Sequence, residues 1–385
     1  MPAQTTTFDT LASLIGQSGP GAAFEHLARS SREVGNFAQL FEARLLAARH
    51  RLGLPLVTAG PPAGASEEQR RQYDEAVMAA ARETGALFLE SGNIARAWPY
   101  YRALGDPAPI ADAIAKSDGG EDPDPLIEIA LGERVLPLRG LELVLAHHGT
   151  CRAITLFDQY PDPATRDDAL RVLVGTLHGE LRANLIRTIA QHEGAEPAAV
   201  SIPELIADRP WLFGEYDYYV DTSHLISILR YAAESADPAV LTKSIELARY
   251  GARLAPTFHH KGEPPLDDVY DDHRIWLAAF LSPAAADAAV EHFRAKIEAI
   301  DLDETGSYPA QVFVRFLVRL ERYKDAIAAF ERWLTGTDPA YLMCPNLYEL
   351  CRLARDWPRL RDLAEQRNDP ITFAAAVLEH SPRAD

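Results

Sequence analysis

Proline and glycine cut this chain so regularly that only short elements fit between them. The pieces run to roughly 10 to 18 residues, a length that suits helices better than strands. Alanine, leucine, arginine and glutamate fill most of them, and these are strong helix formers. Apolar residues recur at spacings of three and four. Phe41, Leu45, Ala48 and Leu52 follow that spacing, as do Leu241, Ile245, Ala248 and Ala252. Runs of alternating β-branched and aromatic residues are nearly absent, so no segment has to be a strand. The pattern predicts an all-α protein of about twenty short helices joined by tight turns.

Length and charge narrow the function classes. At 385 residues the chain is long enough for two or three folding units. Its formal charge of −18 argues against a general nucleic-acid binder, which needs a basic footprint to displace counterions. The same charge argues against docking on an anionic membrane surface. No stretch of about 18 uninterrupted apolar residues is present to span a bilayer. The first residues, MPAQTTTFDTLASL, lack the basic and long apolar regions of a signal peptide. Cys151, Cys344 and Cys351 form no C-x-x-C pair, which speaks against a zinc ribbon or a disulfide framework. A reducing cytoplasm is therefore the expected location. Basic charge is mostly arginine, with only five lysines.

Three stretches read as loops. Ala59 to Ser66 is low in complexity, and Ser117 to Pro125 is acidic and broken by proline. Thr257 to Asp268 carries two adjacent histidines. The second is the best candidate for a boundary. It predicts helix pairs over 1–116 and a further helical array over 126–385, with an atypical middle section at about 200–275. One continuous array is the alternative.

A repeat is visible between Gly85 and Leu104. Gly85 and Phe88 fall on a first helix, Gly92 on a tight turn, and Ala97, Tyr101 and Leu104 on a second. Small residues let two antiparallel helices touch, and larger ones fill the gap to the next pair. This stretch resembles the tetratricopeptide repeat. A second half-match runs from Tyr323 to Leu334 and closes at Pro339. A third, Cys151 to Phe157, follows a helical run from Leu141 to His147. The matched alanines Ala97 and Ala153 lie 56 residues apart, so the array is irregular. The resemblance implies a right-handed superhelix of antiparallel helix pairs, with a concave groove that holds a peptide or protein partner.

No glycine-rich phosphate loop, G-x-S-x-G elbow, H-E-x-x-H or EF-hand spacing is present. Nucleotide hydrolysis and standard serine- or zinc-protease chemistry therefore lack support, and the resemblance to tetratricopeptide arrays, which usually bind rather than catalyse, makes a non-catalytic interaction protein without a cofactor the first expectation. The alternative is a metal-dependent hydrolase or other acid–base enzyme built from His148, His178, Asp221, His224 and His273 on the inner face of the mid-chain helices. These are ligand types for a divalent metal such as zinc, manganese or iron. The histidines are separated by 30, 46 and 49 residues, about one helix pair each. Each also has a plainer reading. His147 and His148 suit a helix C-terminus, and Asp221 suits an N-cap with His224 in the first turn. His178 suits a satisfied core position. The acidic run from Asp267 to Asp272 suits a solvated helix start.

The stretch from Trp211 to Tyr219 is the most unusual. Five of its nine residues are aromatic, against 9% of the chain, and it does not read as an amphipathic helix. Aromatic side chains with polar tips suit a binding surface. Trp211, Tyr216, Tyr218 and His224 are the expected ligand-binding residues. Trp98, Trp276, Trp333 and Trp357 are expected to pack between helices, and Cys344 and Cys351 to fill small core positions.

Overall fold

Several of the prolines that break the sequence turn out to start helices. Pro20, Pro137, Pro238, Pro283 and Pro370 each stand at the head of a helix, where the missing N–H has no intrahelical partner to lose. Polar caps do the remaining work. Ser66, Ser201 and Asn346 form reciprocal capping boxes with Gln69, Glu204 and Glu349. A computed structural model describes residues 7–57, 64–198 and 201–380. Most of the expected loop from Ala59 to Ser66 lies outside them. Among the described residues there are twenty α-helices and no strand; the one bridge, Lys261 to Asp268, is isolated. The fold is all-α, and neighbouring helices pack antiparallel.

The chain divides into two compact units, Met1–Ala169 and Leu170–Asp385. The first holds α1 (Thr7–Ser18), α2 (Pro20–Glu33), α3 (Phe37–Arg51), α4 (Glu67–Glu90), α5 (Ile94–Leu104), α6 (Ala108–Lys116), α7 (Asp124–Ile127) and α8 (Pro137–Phe157). A π turn, Glu128–Gly132, follows α7. The expected break between 117 and 125 is the connection from α6 to α7. Helix α8 is interrupted at Gly149, whose φ of 78° and ψ of 179° are not helical. That interruption falls just after His147 and His148, where the sequence predicted a helix end.

The α4–α5 pair shows how small residues set the packing. A Cβ on Gly85 would lie 2.9 Å from Cε2 of Tyr101, so glycine lets the two helices come this close without displacing that ring. Ala97 is fully buried and Phe88 nearly so. Asn93 caps α5 by accepting from the Arg96 N–H. The rings of Phe37, Phe41, Phe88 and Tyr100 then contact one another edge-on or stacked.

The division between units falls within α9 (Arg166–Glu193). The second unit continues with α10 (Ile202–Ile206), α11 (Thr222–Ala232), α12 (Pro238–Gly251), α13 (Val269–Ala278), α14 (Pro283–Ala299) and α15 (Leu302–Thr305). It ends with α16 (Tyr308–Arg319), α17 (Tyr323–Trp333), α18 (Leu347–Ala354), α19 (Trp357–Gln366) and α20 (Pro370–His380). Leu173, Leu177, Leu181, Leu185 and Ile189 form a fully buried stripe along α9. Trp276, Phe293 and Phe316 form a ring cluster among α13, α14 and α16. The Trp276 indole donates to the Ala233 carbonyl at 3.1 Å. In both units most helices pack against their neighbours in the chain, as α2–α3, α4–α5, α12–α13, α16–α17 and α19–α20 do.

Candidate functional site

The aromatic stretch is a non-helical connection between α10 and α11, apart from one short 3-10 turn at Pro210–Leu212. Its backbone is tied down at several points. Asn184 on α9 donates to the Tyr219 carbonyl at 2.7 Å, and the Tyr219 N–H donates to the Tyr250 hydroxyl at 2.8 Å. The Gly214 N–H donates to Asp217 at 3.2 Å. Trp211 stacks on His192 with ring centroids 3.9 Å apart. The Arg253 guanidinium lies over Phe213 at 4.8 Å. Burial pushes the phenols of Tyr250 and Tyr219 up, so both stay neutral donors or acceptors.

These ties leave two tyrosines outside. Tyr216 is 75% exposed and Tyr218 is 55% exposed, with an edge-on contact to Phe258. Glu215 and Asp217 beside them are exposed as well. The surface thus offers π faces next to carboxylates, a combination that attracts cations. His224 sits half-buried in the first turn of α11. No ring contact joins any two of Trp211, Tyr216, Tyr218 and His224 among the described residues.

Of the five residues weighed as metal ligands, four bond separate partners, and His224 lies close enough to Asp221 for its charge to be felt there. His148, in the first unit, bonds Asp124 at 2.8 Å. His178 bonds Glu246 at 2.9 Å, and the same carboxylate accepts from the Ile202 N–H. Asp221 caps α11; the Ser223 hydroxyl and N–H donate to it and hold its carboxyl below the usual range. His273 is buried and donates from Nδ1 to the Val269 carbonyl at 2.7 Å. Burial pushes the His273 imidazole below its usual value, so it stays neutral. Among the described residues, no group of three or more His, Cys, Asp or Glu could hold a metal ion.

The structure adds a polar cluster that the sequence did not show. Asp272 is 2% exposed, so the acidic run is not wholly a solvated helix start. Its carboxylate accepts from Lys296 at 2.5 Å, from His292 at 2.8 Å and from the Asp268 N–H at 2.8 Å. Lys296 also pairs with Asp267 at 2.5 Å. Burial works against the Asp267 charge, but the Lys296 ammonium outweighs it and keeps that carboxyl below the usual range. This cluster fastens the 257–268 connection and the start of α13 onto α14. The partners are 24 and 20 residues away from Asp272, beyond any local motif. The one available signal was scarcity, since Lys296 is one of only five lysines.

A groove lies elsewhere on the second unit, with a volume of about 790 Å³. Arg315, Met343, Pro345, Arg352, Leu353 and Trp357 line it. Trp357, expected between helices, is therefore partly a groove wall. Cys344 and Cys351 are buried as expected, and burial pushes both thiols up to about 11.

No protein-family model, no curated protein and no solved structure matches this chain. No helix among the described residues is long and apolar enough to cross a membrane.

Proposed function

We propose that this chain is a non-catalytic binding protein whose segment from Pro210 to Asp221 receives a basic, arginine- or lysine-bearing segment of a protein partner. Its framework, in this reading, is an irregular right-handed superhelix of helix pairs similar to tetratricopeptide arrays. Neighbour-on-neighbour packing and the glycine-tight α4–α5 pair support that framework.

The observation that carries the reading is the exposure of Tyr216 and Tyr218 on a backbone already fixed by Asn184 and Tyr250. A surface ordered before binding loses little entropy when a partner arrives. Tyrosine also supplies much contact area with few rotatable bonds. The chain's charge of −18 adds a long-range field that draws cationic partners.

The test is fluorescence anisotropy with labelled peptides sorted by charge, against the native chain and a Tyr216→Ser/Tyr218→Ser double variant. Arginine-rich peptides should bind the native chain, with affinity falling as salt rises. The double variant should bind at least tenfold more weakly, about 1.4 kcal/mol, with its helical circular dichroism unchanged. Equal affinity in the two proteins, or no preference for basic peptides, would sink the reading.

A further inference from the structure

A second surface, independent of the tyrosines, has the opposite chemistry. The chain carries −18 overall, yet between Arg315 and Arg367 ten Arg and Lys residues face eight Asp and Glu. The groove lies in this locally basic stretch. Arg315 and Arg352 line it, and so does one carboxylate, Glu349. That carboxylate also accepts from the Asn346 N–H at 2.9 Å in the α18 capping box. Arg315 reaches only an exposed partner, Glu234, at 3.2 Å. Among the described residues no carboxylate pairs with Arg352, which stands in the last turn of α18. The groove lining therefore carries two guanidiniums against one carboxylate.

The apolar part of the groove is open and its lip is fixed. Met343 is 58% exposed and Leu353 is 43% exposed. The lip is held by Gln311, a buried amide on α16 with every role filled. Its Nε2 donates to the Tyr341 carbonyl at 3.2 Å and to the Ser307 hydroxyl at 2.9 Å, and its Oε1 accepts from the Met343 N–H at 2.5 Å. Thioether, proline and indole surfaces together suit an aliphatic side chain. The volume suits a few residues of an extended or helical segment.

We infer that this groove docks an acidic peptide segment of a protein partner, with a leucine-like side chain seated between Met343, Leu353 and Trp357 and flanking carboxylates on Arg352 and Arg315. Charge complementarity selects this occupant, since a basic segment would place its cations against two arginines in a groove lined by a single carboxylate.

The experiment uses the full chain and a fluorescein-labelled ten-residue peptide of glycine and serine, with one leucine flanked by two aspartates on each side. Two counterparts replace leucine by serine, or the aspartates by lysines. Laurate serves as a competing carboxylate with an aliphatic chain. The acidic leucine peptide should bind, and each counterpart should bind at least tenfold more weakly. Arg352→Glu should weaken the acidic peptide at least tenfold, and Met343→Ser at least threefold, with helicity unchanged. The Tyr216→Ser/Tyr218→Ser variant should bind it within twofold of the native chain, which separates this site from the tyrosine surface. Absence of binding up to millimolar peptide, indifference to Arg352→Glu, or equal binding of the lysine peptide overturns the inference. Displacement by laurate at concentrations below those the peptide itself needs also overturns it, in favour of a lipid-like carboxylate.

Discussion

The α4–α5 pair and the stretch from Ile202 to Ala278 are held in place in different ways. In the pair, position follows from side-chain size at nearby residues: Gly85 admits Tyr101, Gly92 turns the chain, and Asn93 restarts it. In the stretch, position follows from polar ties to distant residues. Tyr219 is held by Tyr250 and Asn184, and Asp272 by Lys296 and His292. Size-coded packing is local and repeats along a sequence. Polar clamps are long-range and particular, and they free the intervening backbone to leave the helical pattern and present side chains.

The contrast can be broken first at its strongest clamp. Lys296→Met leaves Asp272 buried without its ammonium partner, and breaking a buried pair of this kind costs about 3 to 5 kcal/mol. Urea denaturation should show a loss near the lower figure, because His292 and the Asp268 N–H still donate. Adding Asp272→Asn to Lys296→Met should recover part of it. A loss under about 1 kcal/mol would mean the clamp does not hold this stretch.

Next in size is Gly251→Ala. A Cβ at Gly251 would overlap the ring of Tyr270, which is 1% exposed and has nowhere to go. Overpacking of this kind costs about 1 to 3 kcal/mol. Gly85→Ala should cost less, about 1 kcal/mol at most. Its Cβ would meet the edge of Tyr101 at 2.9 Å and the Tyr100 Cβ at 3.3 Å, and alanine regains helix propensity that offsets much of that crowding. Thermal melts of the two variants side by side decide the order, and a larger loss at Gly85 would reverse the comparison.

The smallest effect is a slope. His273 and Asp267 both have folded values below their unfolded ones. The stability each contributes is present above its unfolded value and is lost as pH falls toward the folded one. For His273, whose neighbours include Asp272 and Arg230, the loss begins below about pH 6.5. His273→Gln should flatten the fall in stability between about pH 7 and pH 5, whatever its effect on absolute stability. An unchanged slope would remove His273 from the account.

Legibility followed the same divide. The all-α class and the Gly85–Leu104 pair could be read from the sequence because their determinants lie within one turn or one hairpin of each other. The connections at 117–125 and 257–268 were readable from proline and glycine chemistry alone. Asp221 was readable as a cap because capping is local. Asp272 was not, since its burial depends on which residue of α14 faces it, and that register is set by tertiary packing. The aromatic stretch could be recognised by composition, but which tyrosines stay outside depends on Asn184 and Tyr250, 35 and 31 residues from Tyr219. Gln311 gave no signal, being a lone amide in an apolar helix.

Packing of helices chiefly on their chain neighbours also has a kinetic meaning. Contacts close in sequence need little loop closure, so each pair can assemble quickly and nearly on its own. Opening can be equally piecemeal. α1 has no buried residue and should give up its amide protons to solvent first, long before the buried stripe of α9 does. In the superhelix proposed above, pulling from the ends would release the helix pairs in a series of small steps.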